Sequence, residues 1–235
     1  MKKSMIGVIV LSLILVTAIG STSFAQITIE GALKGGADFS DLGGNDAGNT
    51  NTSLGFVGGF SATLHLAKLF SLQPELLYIR KGADQFTSSQ ERYFVLNANV
   101  VLDYIEIPVL AKLTFPMANN LVPGVYVGPS FAFKLRSKLN IVEARSEDGT
   151  PLGSIQPKIV NAKSTDVGLV IGTALAVEGP ATKIVVDFRY SFGFNSILKA
   201  HSFVGNNSEV ALVDDNDQPL DLKNRTLTVM VGIGF

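Results

Sequence analysis

The fold is decided by the stretch Leu227-Thr228-Val229-Met230-Val231-Gly232-Ile233-Gly234-Phe235. Its odd-numbered residues are large and apolar, whereas most of its even-numbered residues are small or polar. Because successive side chains of a β-strand point to opposite faces of the sheet, this period of two predicts a strand. One face of that strand is apolar, and the other is small and mixed.

The same alternation recurs earlier in the chain and predicts eight strands in all. The seven earlier segments are Ile27–Phe39, Leu54–Leu66, Phe70–Arg80, Val101–Phe115, Val122–Arg136, Val167–Val177 and Lys183–Phe192. After Ala25, no apolar run approaches the ~18 residues of a spanning helix, so no further membrane helix is expected. The segments together predict an all-β chain.

The connections between the predicted strands alternate in length. Long connections are predicted at Ser40–Ser53, Gly82–Val100, Ser137–Asp166 and Gly193–Lys223, and short ones at Ala67–Leu69, Pro116–Leu121 and Glu178–Thr182. Tight turns at one rim and polar loops at the other are typical of outer-membrane barrels. We therefore predict an eight-stranded antiparallel up-and-down transmembrane β-barrel over residues 26–235, with short periplasmic turns and long extracellular loops.

The first 25 residues have the parts of a secretory signal peptide. Lys2 and Lys3 precede an apolar run over Met5–Ile19, and the small residues Ser23 and Ala25 follow it. We expect cleavage after Ala25, export, and a final location in the cell outer membrane. The alternative is an uncleaved membrane anchor, because the apolar run is near the lower length limit for a spanning helix.

The small, mixed faces of the strands carry charges of both signs among Gly, Ala, Ser and Thr. Lipid surrounds a membrane barrel, so these faces should point inward, where an eight-stranded barrel has just enough room for side chains. We predict a structural interior polar network of Glu30, Lys34, Asp38, Glu75, Glu106, Lys112, Lys134, Asp187 and Arg189. The alternative is a polar path or gate; a plug of ion pairs is favoured because unpaired buried charge is costly.

Aromatic residues fall near the ends of the apolar faces, as in the two interfacial belts of a membrane barrel. The predicted interfacial aromatics are Phe39, Phe56, Phe70, Tyr78, Phe115, Phe133, Tyr190, Phe192 and Phe235. The alternative is the aromatic core of a soluble barrel. The Phe235 strand also resembles the signal by which insertion machinery reads outer-membrane barrels, and that machinery and the membrane lipid are expected partners.

Composition excludes several classes of function. The chain has no cysteine, which excludes disulfides, thiolate metal sites, thiol catalysis and a lipid anchor. His65 and His201 are its two histidines, too few for a multi-histidine metal centre. The net charge of −1 provides no basic field for nucleic acid.

No catalytic, cofactor-binding or metal site is predicted. Ser130 in Gly128-Pro129-Ser130 lies within a predicted strand, and strand geometry places it more than ~20 Å from His65. His201 is expected to be solvated in a loop. The acidic run Asp214-Asp215-Asn216-Asp217 lacks the glycine and distal glutamate of a calcium loop, so we interpret it as a solvated turn. Asp41–Asn51 is likewise interpreted as a loop.

Four phrases of the sequence resemble a known family. They are Gly35-Gly36-Ala37-Asp38-Phe39-Ser40-Asp41-Leu42, Phe70-Ser71-Leu72-Gln73-Pro74-Glu75-Leu76-Leu77-Tyr78, Tyr104-Ile105-Glu106-Ile107-Pro108-Val109-Leu110 and Val127-Gly128-Pro129-Ser130. In this order they are similar to the PorT-like outer-membrane β-barrel family, often labelled porin-family proteins. The resemblance covers essentially all of residues 26–235 and implies the barrel architecture. Most members of the family have no assigned activity, and one is associated with a protein-secretion system.

These observations lead to one main expectation about function. We expect a non-enzymatic outer-membrane barrel with a closed interior, acting as a structural or surface-binding module whose long loops contact an extracellular ligand or protein. The alternatives are a small-solute porin, an accessory component of a secretion system, and an enzyme acting on lipid or peptide. The positions of the histidines disfavour the enzyme.

Overall fold

A computed structural model describes residues 28–44, 51–90, 93–146, 163–197, 203–204, 210–211 and 221–235. The predicted signal peptide, His201 and the acidic run at 214–217 lie outside the described residues. The bounds of the strands are β1 Thr28–Gly43, β2 Ser53–His65, β3 Phe70–Gln90, β4 Tyr93–Thr114, β5 Leu121–Ser146, β6 Thr165–Glu178, β7 Lys183–Gly193, β8 Phe203–Val204, β9 Val210–Ala211 and β10 Lys223–Gly234.

The eight longer strands close into an antiparallel barrel in the order β1-β10-β7-β6-β5-β4-β3-β2, and β8 pairs only with β9. Closure is visible at Leu33, whose cross-strand partners are Phe60 on β2 and Ile233 on β10. A closed barrel leaves no sheet edge unpaired, which is what lipid demands of a spanning β-structure. The predicted eight-stranded barrel is confirmed.

Helical structure in the described residues is limited to a short 3₁₀ turn, Ala118–Asn120, between β4 and β5. Asn119 and Asn120 adopt positive φ angles of 63° and 59° there, a conformation that asparagine tolerates better than most residues. None of the helices in the described part of the chain is long and apolar enough to cross a membrane.

The prediction of a loop at Gly82–Val100 is wrong. β3 and β4 stay paired as far as Gln90 and Tyr93, so this excursion is an extended hairpin rather than an irregular loop. β5 likewise runs to Ser146 through the first part of the connection predicted at Ser137–Asp166. The sequence prediction ended each strand where the apolar face ended, but backbone pairing outside lipid does not need an apolar face.

Inward and outward side chains alternate as the sequence predicts. On β10, Thr226, Thr228 and Met230 are at most 1% exposed, whereas Val231 and Ile233 are each 53% exposed. Comparable exposed apolar side chains occur on the other barrel strands, for example Leu33 on β1 and Phe188 on β7. The outer surface is therefore an apolar belt around a polar interior, the arrangement of a barrel whose solvent is lipid.

The predicted interfacial aromatics lie on the outer surface, at two levels along the strands. Phe70, Phe115 and Phe235 lie beside the short turns. The other six, Phe39, Phe56, Tyr78, Phe133, Tyr190 and Phe192, lie further along, towards the long connections. Two contacts organise this second level: the Phe56 and Tyr78 rings stack at 5.4 Å, and the Tyr190 and Phe192 rings lie 6.2 Å apart. Their placement at the boundaries of a membrane stays a prediction.

Candidate functional site: the polar interior of the barrel

A cluster of four charged side chains crosses the middle of the barrel. Lys34 on β1 donates to Glu75 Oε1 on β3 at 2.7 Å and to Asp187 Oδ2 on β7 at 2.9 Å. Arg189, also on β7, donates through Nη1 to Glu75 Oε2 at 2.6 Å and through Nη2 to Asp187 Oδ2 at 2.8 Å. We call these four residues the central cluster.

The central cluster joins opposite walls of the barrel. In the closed strand order β3 and β7 are as far apart as two strands can be, yet Arg189 and Glu75 are in contact. Tyr126 on β5 adds a hydroxyl that donates to Asp187 Oδ1 at 2.5 Å. All four charged side chains of the cluster are at most 4% exposed. The side chains of the cluster therefore lie across the interior at this level, in a barrel whose eight strands leave just enough room for side chains.

A second group of polar residues lies nearer the long connections. Lys81 on β3 forms an ion pair with Glu106 Oε2 at 2.6 Å, and the Ser130 hydroxyl donates to Glu106 Oε1 at 2.6 Å. Asn224 on β10 donates to Asp166 Oδ2 on β6 at 2.8 Å. The cavity between these residues measures about 10 Å³, the space that one water molecule needs. We call this the upper group.

Asp38 belongs to the upper group and is fully buried, at 0% exposure, yet neither of its carboxylate oxygens has a hydrogen-bond partner. The hydroxyl groups of Thr226 and Thr228, the latter its cross-strand neighbour, are also unpartnered. Gly55 faces Asp38 from β2, and a Cβ atom there would come within 2.4 Å of Asp38 Oδ1. Glycine at position 55 is therefore needed to admit the carboxylate.

A third group lies at the short-turn end of the interior. Glu30 accepts from Lys183 Nζ at 3.1 Å and lies 3.2 Å from His65 Nε2. The Ser71 hydroxyl is hydrogen-bonded to His65 Nδ1 at 3.1 Å. Lys112 donates to Gln73 Oε1 at 3.2 Å. This end is open enough that the Glu30 side chain is 38% exposed.

The residues predicted to form the interior network are therefore divided among these groups. Lys34, Glu75, Asp187 and Arg189 come together; Asp38 and Glu106 lie in the upper group; Glu30 and Lys112 lie at the short-turn end. Lys134 is half-buried and opposite Tyr104, beside an irregularity in the β4–β5 pairing.

The predicted network left out several buried polar residues of the interior, among them Gln73, Lys81, Tyr104, Tyr126, Asp166 and Asn224. The signal for Lys81 was available, because it continues the inward parity of Ser71 and Gln73 beyond the point where the predicted third strand ended. Tyr104 and Tyr126 share the inward parity of Glu106. The predicted network contained charged residues alone, so these two tyrosines were left out.

The contacts Ser71–His65–Glu30 follow the order of a nucleophile, a base and an orienting acid. Ser71 is only 1% exposed and does not line the pocket at the short-turn end. A nucleophile must reach a substrate carbonyl, and this hydroxyl does not meet that requirement. Ser130 is bonded to Glu106 rather than to His65. We interpret both serines as structural hydrogen-bonding residues.

No group of three or more His, Cys, Asp or Glu side chains that could hold a metal ion occurs among the residues that the structure describes. The acidic carboxylates of the upper group are therefore not arranged as a metal centre.

Comparisons with known proteins agree with this architecture. Residues 23–199 match the family described as outer membrane protein beta-barrel domain. No curated protein sequence matches the chain.

Several solved structures are similar in fold. Neisserial surface protein A is 14% identical, with 87% of this chain and 97% of that protein covered and a TM-score of 0.43. Ail, the attachment invasion locus protein of Yersinia pestis, in complex with a heparin analogue, is 15% identical, with 88% and 99% covered and a TM-score of 0.39. OprG from Pseudomonas aeruginosa is 10% identical, with 88% and 95% covered and a TM-score of 0.45.

Proposed function

Because the chain belongs to the outer membrane protein beta-barrel domain family, we propose that it serves as a non-enzymatic, closed barrel of the outer membrane. In this proposal the barrel holds the protein in the lipid, and the long connections form a structural or surface-binding module. Its partner is an extracellular ligand or protein.

The single observation that carries the closed interior is the contact between Arg189 and Glu75 across the full width of the barrel. A solute of useful size would have to displace this pair together with Lys34 and Asp187. Removing one partner from such a buried pair costs about 3–5 kcal/mol. The energetic cost of opening supports a plug rather than a pore.

We further propose that the chain belongs to the PorT-like branch of outer-membrane barrels. Each of the four phrases that carry the resemblance supplies a buried interior residue: Asp38, Glu75, Glu106 and Ser130 in turn. The resemblance thus includes residues that line the interior as well as apolar residues that any membrane barrel needs.

Conductance measurements test the closed interior. The purified, folded barrel is inserted into planar bilayers, and its solute permeability is checked in parallel by osmotic swelling of liposomes. We expect no single-channel steps and no swelling with small sugars. Robust steps from the wild-type barrel would overturn the plug and favour the small-solute porin.

Loop replacement tests the surface-binding role. Residues 147–162, which lie between β5 and β6, are replaced by a short Gly-Ser linker, and binding partners are captured from intact cells. The replacement begins at residue 147 because residues 137–146, although part of the connection predicted at Ser137–Asp166, belong to β5. We expect capture to be lost while the heat-modifiable migration of the folded barrel persists. A second variant replaces residues 45–50 of another long connection, and unchanged capture by both variants would contradict the proposal.

A further inference from the structure

A pocket opens at the short-turn end of the barrel, on the far side of the central cluster from the long connections. Its lining includes three residues with ammonium groups, Lys34, Lys112 and Lys183, together with Glu30 and His65. The space measures about 30 Å³. One water molecule needs ~10–15 Å³ of such space, so the pocket admits a group larger than a single water molecule.

Two of these ammonium groups already have counter-charges. Lys34 is held by Glu75 and Asp187, at 2.7 and 2.9 Å. Lys183 lies 3.1 Å from Glu30 and 3.2 Å from Glu178. Their charges are therefore compensated inside the protein.

Lys112 differs from both. It is 8% exposed, and the hydrogen bond that its ammonium makes goes to the neutral amide oxygen of Gln73. Among the described residues, no carboxylate lies within ion-pair distance of Lys112. The carboxylates of the central cluster, Glu75 and Asp187, are each already bound by both Lys34 and Arg189. An ammonium group with three donors is thus buried beside a pocket with one neutral partner.

Burial of a charge without a counter-charge is expensive, and a bound ion of opposite sign is one way to remove that cost. The local backbone preserves the position of the ammonium: a Cβ atom on Gly124 would lie 3.3 Å from Lys112 Cε and 3.0 Å from the backbone oxygen of Leu113. Because glycine at position 124 has no Cβ atom, the aliphatic part of the Lys112 side chain can lie along the barrel wall.

We propose that this pocket binds a small anion of the size of chloride, with Lys112 Nζ as its principal donor. The anion enters from the short-turn end, which faces the periplasm in outer-membrane barrels. It completes the charge balance of the interior below the central cluster. The proposal concerns the opposite end of the molecule from the surface-binding role and does not depend on it.

Chloride-35 line broadening tests the proposal. Chloride is titrated into the purified full-length barrel, folded in zwitterionic detergent at constant ionic strength. The wild type should broaden the chloride resonance saturably. Lys112→Met should weaken binding about tenfold or more, because it removes the charge-assisted hydrogen bond from the ammonium to the anion. Lys68→Met is the matched control, since the exposed Lys68 in the β2–β3 turn loses the same charge without lining the pocket.

A second variant keeps the test decisive if Lys112→Met does not fold, as judged by heat-modifiable migration. Ala32 lines the pocket and is half-buried, so Ala32→Leu should fill the space while leaving every charge in place. We expect this variant to lose the saturable broadening. A linear, non-saturating chloride dependence of the wild type would overturn the proposal. So would an equal loss in Lys68→Met, or unchanged binding in Lys112→Met or Ala32→Leu.

Discussion

The central cluster and the upper group are built from the same residue types but differ in how completely their charges are paired. In the central cluster, Lys34 and Arg189 each contact both Glu75 and Asp187. In the upper group, by contrast, Lys81 is the buried base that faces the three buried acids Asp38, Glu106 and Asp166. Both groups are removed from solvent, but only the first balances its charges.

This difference shows that burial and pairing are separate consequences of the sequence. Strand parity directs a charged side chain inward, whereas the register between distant strands decides which opposite charge it meets. Glu75 and Arg189 meet because β3 and β7 lie opposite each other at matching heights. Asp38 has the same parity and burial, but no cation reaches hydrogen-bond distance of its carboxylate.

The largest effect should come from breaking the central cluster. Glu75→Ala leaves Lys34 and Arg189 with Asp187 as their shared acid. We expect the free energy of unfolding to fall by about 3–5 kcal/mol, the usual cost of leaving a buried charge without its partner. Urea unfolding of the barrel in lipid vesicles measures this change. A loss below ~1 kcal/mol would show that the cluster is not a tight plug.

A smaller loss is expected in the upper group. Glu106→Ala removes the ion-pair partner of Lys81 and the acceptor of the Ser130 hydroxyl, and should cost about 2–3 kcal/mol. The unfolding temperature should therefore fall. The variant should open no ion-conducting pore in planar bilayers, because the central cluster remains intact. Channel steps in this variant alone would place the plug in the upper group instead.

Asp38→Asn tests the buried carboxylate of the upper group that lacks a hydrogen-bond partner. The amide keeps the shape of the carboxylate but removes an unpartnered buried charge, so stability should be unchanged or rise by up to about 1 kcal/mol. Thermal unfolding of the folded barrel measures the change. A loss as large as that of Glu75→Ala would mean that the Asp38 carboxylate has an essential partner.

The smallest effect should come from a half-buried pair near the surface. Lys223 and Asp221 lie 2.9 Å apart with side chains 35% and 30% exposed. Lys223→Ala should change the free energy of unfolding by less than about 1 kcal/mol, because solvent screens the interaction. This variant is the baseline for the three buried variants, measured by the same urea titration. A larger loss would indicate that surface charge contributes to the barrel more than burial suggests.

The sequence predicted the features that depend on the alternation of side chains between the two faces of a strand. The eight strands, the outward apolar faces and the inward position of residues such as Lys34 and Asp187 all follow from parity. Parity is a local property, so a single sequence shows it directly.

Pairing across the barrel could not be predicted in the same way. Contacts such as Arg189–Glu75 depend on strand tilt and stagger, which set the height at which opposite strands meet. The extension of β3 and β4 was missed for another reason, since the paired backbone of Gly82–Gln90 continues where the apolar pattern stops.

The extended hairpin of β3 and β4 determines how far the barrel projects along its axis. Between Gly82 and Gln90 the paired strands rise by about 20 Å along the barrel axis, at ~3.3 Å per residue and a strand tilt near 40°. The polar headgroup layer of one leaflet is only about 5–8 Å thick. With the lipid surface at the level of Gly82, the paired strands would carry Gln90 and Tyr93 beyond the headgroup layer as an arm. A macromolecule too bulky to approach the membrane plane can touch this arm first.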